Sequence, residues 1–116
     1  MSKRRISDHE GLEAIRSNNR PTAVRYLLQQ IESSHPGGTI ELRVPPYGAV
    51  QIVDGLNHRR GTPPNVVEVS PENFLDMALG HSSFKEKVDS GALSLSGDRA
   101  SDAMRVFPVK LPNESQ

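Results

Sequence analysis

Cysteine and tryptophan are both missing from this chain, and each absence removes a class of explanation. Without cysteine there is no disulfide framework, no thiolate nucleophile and no cysteine-ligated zinc, a usage that fits a reducing cytoplasm. Without tryptophan, and with two tyrosines and three phenylalanines as the whole aromatic complement, the bulk of a core falls to Phe74, Phe84 and Phe107. Net charge is missing too: 14 basic side chains stand against 14 acidic ones, so charge alone implies neither nucleic acid nor an anionic membrane as a partner. No run approaches the ~20 apolar residues of a membrane span, and the basic start MSKRR has no apolar stretch behind it. The expectation is a soluble cytoplasmic protein, without a classical secretion signal and without stable membrane insertion.

Hydrophobic content is also low, 34% of 116 residues, below the roughly 45–50% of an ordinary globular domain. One domain with a modest core follows from the length.

What is present is a series of well-signalled elements. In SDHE, Ser7 can cap a helix and Glu10 can reach back to it, predicting a short surface helix from about Ser7 to Asn18 with Leu12, Ala14 and Ile15 as its apolar residues. RPTAVRYLLQQIESS is a stronger signal: Pro21 suits a first helical turn, and Val24, Leu27, Leu28 and Ile31 repeat at i, i+3, i+4, i+7. SSHPGG ends that helix. In TIELRV, Ile40, Leu42 and Val44 alternate with charged residues, and AVQIVDG places Val50 and Ile52 on one side, so the two predict an antiparallel hairpin. LNHRRGTPPN reads as a loop stiffened by Pro63 and Pro64, with an edge strand near Leu56 to Arg60. NVVEVS returns to strand. Ser70 then caps a helix over PENFLDMALG that Gly80 stops, and Ser83 with Glu86 forms a capping box for a shorter one. Leu93 and Leu95 make another strand. Asp98 is placed to cap a last helix in which Ala100, Ala103, Met104 and Phe107 again fit i, i+3, i+4, i+7. The order predicts an α+β fold, with helices on one face of a mostly antiparallel sheet of four or five strands.

The block NVVEVSPENFLDMALGHSSFKEKVDSGALSLSGD resembles the C-terminal half of the sterol carrier protein type two family: strand, capped helix ending in glycine, short helix, then an SG-x-L-x-L-x-GD strand. Phe74, Leu75, Gly80, Phe84, Ser90, Gly91, Gly97 and Asp98 carry the match, and the preceding helix and hairpin extend it over roughly Pro21 to Phe107. The GTPPN loop before the third clear strand is similar to the short branch of that family found in actinobacteria. The resemblance implies a non-catalytic carrier with no cofactor, in which helices cover an apolar sheet face and leave a tunnel for a fatty acyl chain, a sterol or an acyl thioester. On that reading residues 1–19 are an N-terminal helical extension, 20–108 the sterol-carrier-like domain and 109–116 a flexible tail.

Pocket candidates under this resemblance are Leu42, Val44, Val50, Ile52, Phe74, Met77, Ala78, Phe84, Leu93, Leu95, Met104 and Phe107. Arg59 and Arg60, beside the stiff proline loop, are candidates for holding a carboxylate, phosphate or coenzyme head group. An acyl chain gains about 0.8 kcal/mol per buried methylene, whereas an unfilled void costs on the order of 24 cal/mol per Å3. Two outcomes stay open: a ligand is normally present, or the helices have collapsed onto the sheet and left an interaction or accessory module. His9, His35, His58 and His81 lack metal-ligand spacing, so no metal is implied. GHSSF is not the nucleophile motif G-x-S-x-G, and no catalytic residue is assigned. Nothing excludes a homodimer through an edge strand such as TIELRV or ALSLS.

Overall fold

The computed structural model describes residues 5–55 and 64–113. In chain order these form α1 (Asp8–Arg16), α2 (Arg20–Ser34), β1 (Pro36–Val44), β2 (Gly48–Ile52), β3 (Asn65–Val69), α3 (Pro71–Ala78), α4 (Phe84–Asp89), β4 (Leu93–Ser96) and a 3-10 helix, η1 (Ala100–Val106). The predicted caps are in place at three helices. Ser7 and Glu10 make a full capping box, as do Ser83 and Glu86, and the Ser70 hydroxyl accepts the Asn73 amide.

The four described strands lie in the order β2-β1-β3-β4. Successive strands alternate in direction along the chain, but β3 sits beside β1 and not beside β2. The β1 and β3 pair is therefore parallel, while β1 with β2 and β3 with β4 are antiparallel. The sheet is mixed, a correction to the antiparallel expectation at its centre. The edge strand expected near Leu56 to Arg60, and the head-group candidates Arg59 and Arg60, lie outside the described residues.

Register sets one row of side chains across the four described strands: Val50 stands beside Leu42, Leu42 beside Val67, and Val67 beside Leu95. The opposite face carries Glu41, Arg43 and Glu68, with Arg43 paired to both carboxylates. Helix α2 packs over β1 and β2 and against α3, and η1 packs over β3, β1 and β4. The apolar stripe Val24, Leu27, Leu28 and Ile31 is wholly buried there.

Helix α1, expected at the surface, buries Gly11, Leu12 and Ala14 against α2. A Cβ on Gly11 would run into the Tyr26 ring, and the Tyr26 hydroxyl donates to Asp8 Oδ1 at 2.7 Å. At the other end, the Val109 amide donates to the Ala78 carbonyl at 2.9 Å, and Val109 and Leu111 pack against the core.

The last helix departs most from expectation. It is a 3-10 helix without a side-chain cap, so its period is three and Ala100, Ala103 and Val106 form the buried row. Met104, which an α-helical period would turn inward, is 51% exposed. The turn before it is held not by Asp98 but by Asn65, whose Oδ1 accepts the Arg99 amide at 2.8 Å while its Nδ2 donates to the Thr39 carbonyl at 2.9 Å. Asn65 thus ties β1, β3 and the end of β4 together. Gly97, at φ +100°, lies so close to it that a Cβ would meet Asn65 Oδ1 and come within 2.6 Å of the Pro64 carbonyl.

Candidate functional site

Eleven of the twelve apolar candidates lie on the helix-covered side of the sheet or on the elements packed over it, Met104 being turned outward from η1, and they divide by environment. Leu42, Val44, Ile52, Phe74, Met77 and Ala78 have 0% of their surface exposed, and Phe84 has 3%. A side chain facing a void large enough for water keeps accessible surface, whether or not the void opens outward. These six keep none, so they are packed on every side. Together with Val24, Leu27, Ile31, Ile40 and Val67 they make one continuous apolar layer.

The other five keep contact with solvent. Val50, Leu93 and Phe107 are half-buried, Leu95 is 37% exposed and Met104 51%. All but Val50 belong to the β4 and η1 end of the molecule. Phe107 follows η1 and bridges two helices: its ring meets Phe74 edge-on at 6.0 Å and stacks with Phe84 at 6.1 Å. Aromatic pairs at these separations add about 0.5–1.5 kcal/mol beyond their buried area, which fastens the segment after η1 to α3 and α4. The thinnest cover over the apolar face is therefore η1 itself, a short helix whose inward residues are mostly alanine.

Sequence reasoning did not find a second feature, a surface groove of about 460 Å3 between α2 and the β2 edge, lined by Arg5, Ile6, Arg25, Leu28, Gln29, Glu32, Tyr47, Gly48, Ala49 and Val50. The signal was faint because its parts come from three separated segments. Only Val50 among the pocket candidates reaches it.

Of the described histidines, His9 and His81 are exposed and His35 is half-buried. Among the described residues no group of three or more His, Cys, Asp or Glu is placed to hold a metal ion, and no helix is long and apolar enough to cross a membrane.

Residues 16–109 of this chain match the family model described as bacterial SCP ortholog. No match is found among curated proteins. The matched span runs from the end of α1 through the segment after η1, taking in every strand and the layer of apolar side chains just described. The chain belongs to the sterol carrier protein family.

Proposed function

We propose that this protein is a non-catalytic binding and carrier protein for a lipid or acyl group, which it accommodates in the layer between the sheet and the helices. The observation that supports this most is that the apolar row from Val50 to Leu95 crosses all four described strands on the helix-covered face, in a chain of the sterol carrier family. The layer is closely packed, with Leu42, Val44, Ile52, Phe74, Met77 and Ala78 fully buried. A ligand enters where the cover is weakest, by displacing η1, which has no side-chain cap and buries two alanines and one valine. Short, thinly packed elements of this kind are the ones that open locally at low free energy.

Magnitudes limit what the layer can take. An acyl chain that buries about twelve methylenes gains on the order of 10 kcal/mol. Association and ordering consume roughly 4–15 kcal/mol of such a gain. Little remains for prying apart a filled core, so binding favours ligands that need only the β4 and η1 end to move.

A second reading, an interaction or accessory module with a permanently filled interior, draws its support from the six side chains with no exposed surface. One experiment separates the two. Native mass spectrometry of freshly purified protein, followed by a binding screen of fatty acids and acyl thioesters, should reveal a bound ligand. The Leu95→Glu/Met104→Glu variant should weaken its binding roughly tenfold, about 1.4 kcal/mol. Absence of any bound or bindable ligand from the whole screen would leave the filled module as the function.

A further inference from the structure

We infer that the groove between α2 and the β2 edge, which adjoins the interlayer at Leu28 and Val50 but opens at the surface, is a second binding site for a small amphipathic anion: one carboxylate or phosphate on a short apolar body. Its volume, about 460 Å3, falls within the range of small-molecule sites. The floor is apolar, from Ile6, Leu28, Ala49 and Val50, while Arg5 and Arg25 supply two cations against the single carboxylate of Glu32.

Arg25 is oriented by contacts of its own guanidinium, and Arg5 is tethered through the backbone of its neighbour Ile6. Gln29 clamps the backbone of Ile6 in both directions, its Oε1 accepting the Ile6 amide at 2.9 Å and its Nε2 donating to the Ile6 carbonyl at 2.8 Å. This fixes the segment carrying Arg5 against α2. Across the groove, Arg25 Nε donates to the Tyr47 carbonyl at 3.3 Å and the guanidinium lies 5.9 Å from the centre of the Tyr47 ring. One edge of the guanidinium is thereby used, and its terminal nitrogens make no ion pair among the described residues, nor does Arg5. A guanidinium pre-oriented in this way suits an anion with two acceptor oxygens.

The test is titration of the isotopically labelled full chain with octanoate and octyl phosphate, followed by amide shifts, with octanol and inorganic phosphate as partial ligands. Both amphiphiles should shift the amides of residues 25, 28, 29 and 47–50. Each partial ligand should bind at least roughly tenfold more weakly, since either the charge-assisted contacts or the apolar ones are then missing. Arg5→Gln/Arg25→Gln changes two exposed side chains, should retain the unmodified chain's spectrum, and should weaken octanoate binding roughly tenfold. Gln29→Ala should weaken it less, by releasing Arg5 alone. Binding that survives the double variant, shifts confined to β4 and η1, or no binding by either amphiphile would overturn the inference. Shifts at β4 and η1 alone would leave the carrier proposal standing.

Discussion

The two ends of the row Val50, Leu42, Val67 and Leu95 are covered differently. Over β2 and β1 lies α2, with 15 residues and a length of about 22 Å at 1.5 Å per residue. Over β3 and β4 lies η1, with 7 residues and about 14 Å at 2.0 Å per residue. The first helix presents leucine, isoleucine and valine to the sheet, whereas the second presents mostly alanine. Leu42 and Val67 in mid-row are sealed, and Leu95 at the η1 end is 37% exposed. Coverage is complete in mid-row and falls off at both edge strands, further at Leu95 beside the short helix than at Val50, which stays half-buried beneath the long one.

Breaking the sealed part of that row should have the largest effect. Leu42→Ala removes a fully buried side chain from a layer with no spare room, and the expected loss is about 3 kcal/mol, within the range for such truncations. Urea unfolding monitored by circular dichroism measures it. A loss below about 1 kcal/mol would mean that the interior closes readily around a void, and hence that it is looser than its packing indicates.

The next two predictions address what anchors the thin end. Gly97→Ala places a side chain at φ +100° and against the Pro64 carbonyl, and strain of that kind costs on the order of 2–3 kcal/mol. Asn65→Ala removes two part-buried hydrogen bonds, one to Thr39 and one from Arg99, for an expected loss of about 2 kcal/mol. Because the two residues meet at one joint, the double variant should lose less than the sum of the singles. Full additivity in the unfolding free energies would show that Gly97 and Asn65 act apart.

The same contrast separates what was legible in the sequence from what was not. Helix α2 could be read from its stripe because its period and its cover agree, and the caps at Ser7, Ser70 and Ser83 could be read because capping is local chemistry. The hairpin of β1 and β2 followed from alternation with a short turn. The parallel contact of β1 with β3 had no local signal, since strand order is decided by which faces need burying. At η1 the spacing of Ala100, Ala103, Met104 and Phe107 fits an α-helix, yet Ala100 and Ala103 are equally compatible with a period of three. Asn65 holding the turn and Val106 facing inward select the tighter helix, and neither was recognised in advance. The sealing of Leu42, Phe74 and Met77 was likewise hidden, because a core side chain and a tunnel lining are the same residue types at the same spacing. The Arg5 and Arg25 groove needs the segment before α1, helix α2 and the β1–β2 turn with the start of β2 brought together, which no single stretch of sequence displays.

The smallest effect is the most informative about the comparison. Leu95 ends the same row as Leu42, yet the contrast in cover implies that Leu95→Ala costs no more than about 0.5–1 kcal/mol, since a third of the side chain is already in water. The β4 strand it belongs to is at the sheet edge among the described residues, where a bare apolar side chain favours self-pairing. Leu95→Lys should therefore be tolerated by the fold and should remove any concentration-dependent association seen for the unmodified chain in sedimentation velocity. A cost for Leu95→Ala near that of Leu42→Ala would show that β4 is as well sealed in solution as β1. The thin end would then no longer be the place where the interlayer opens, and the route proposed for a ligand would have to move to another part of the cover.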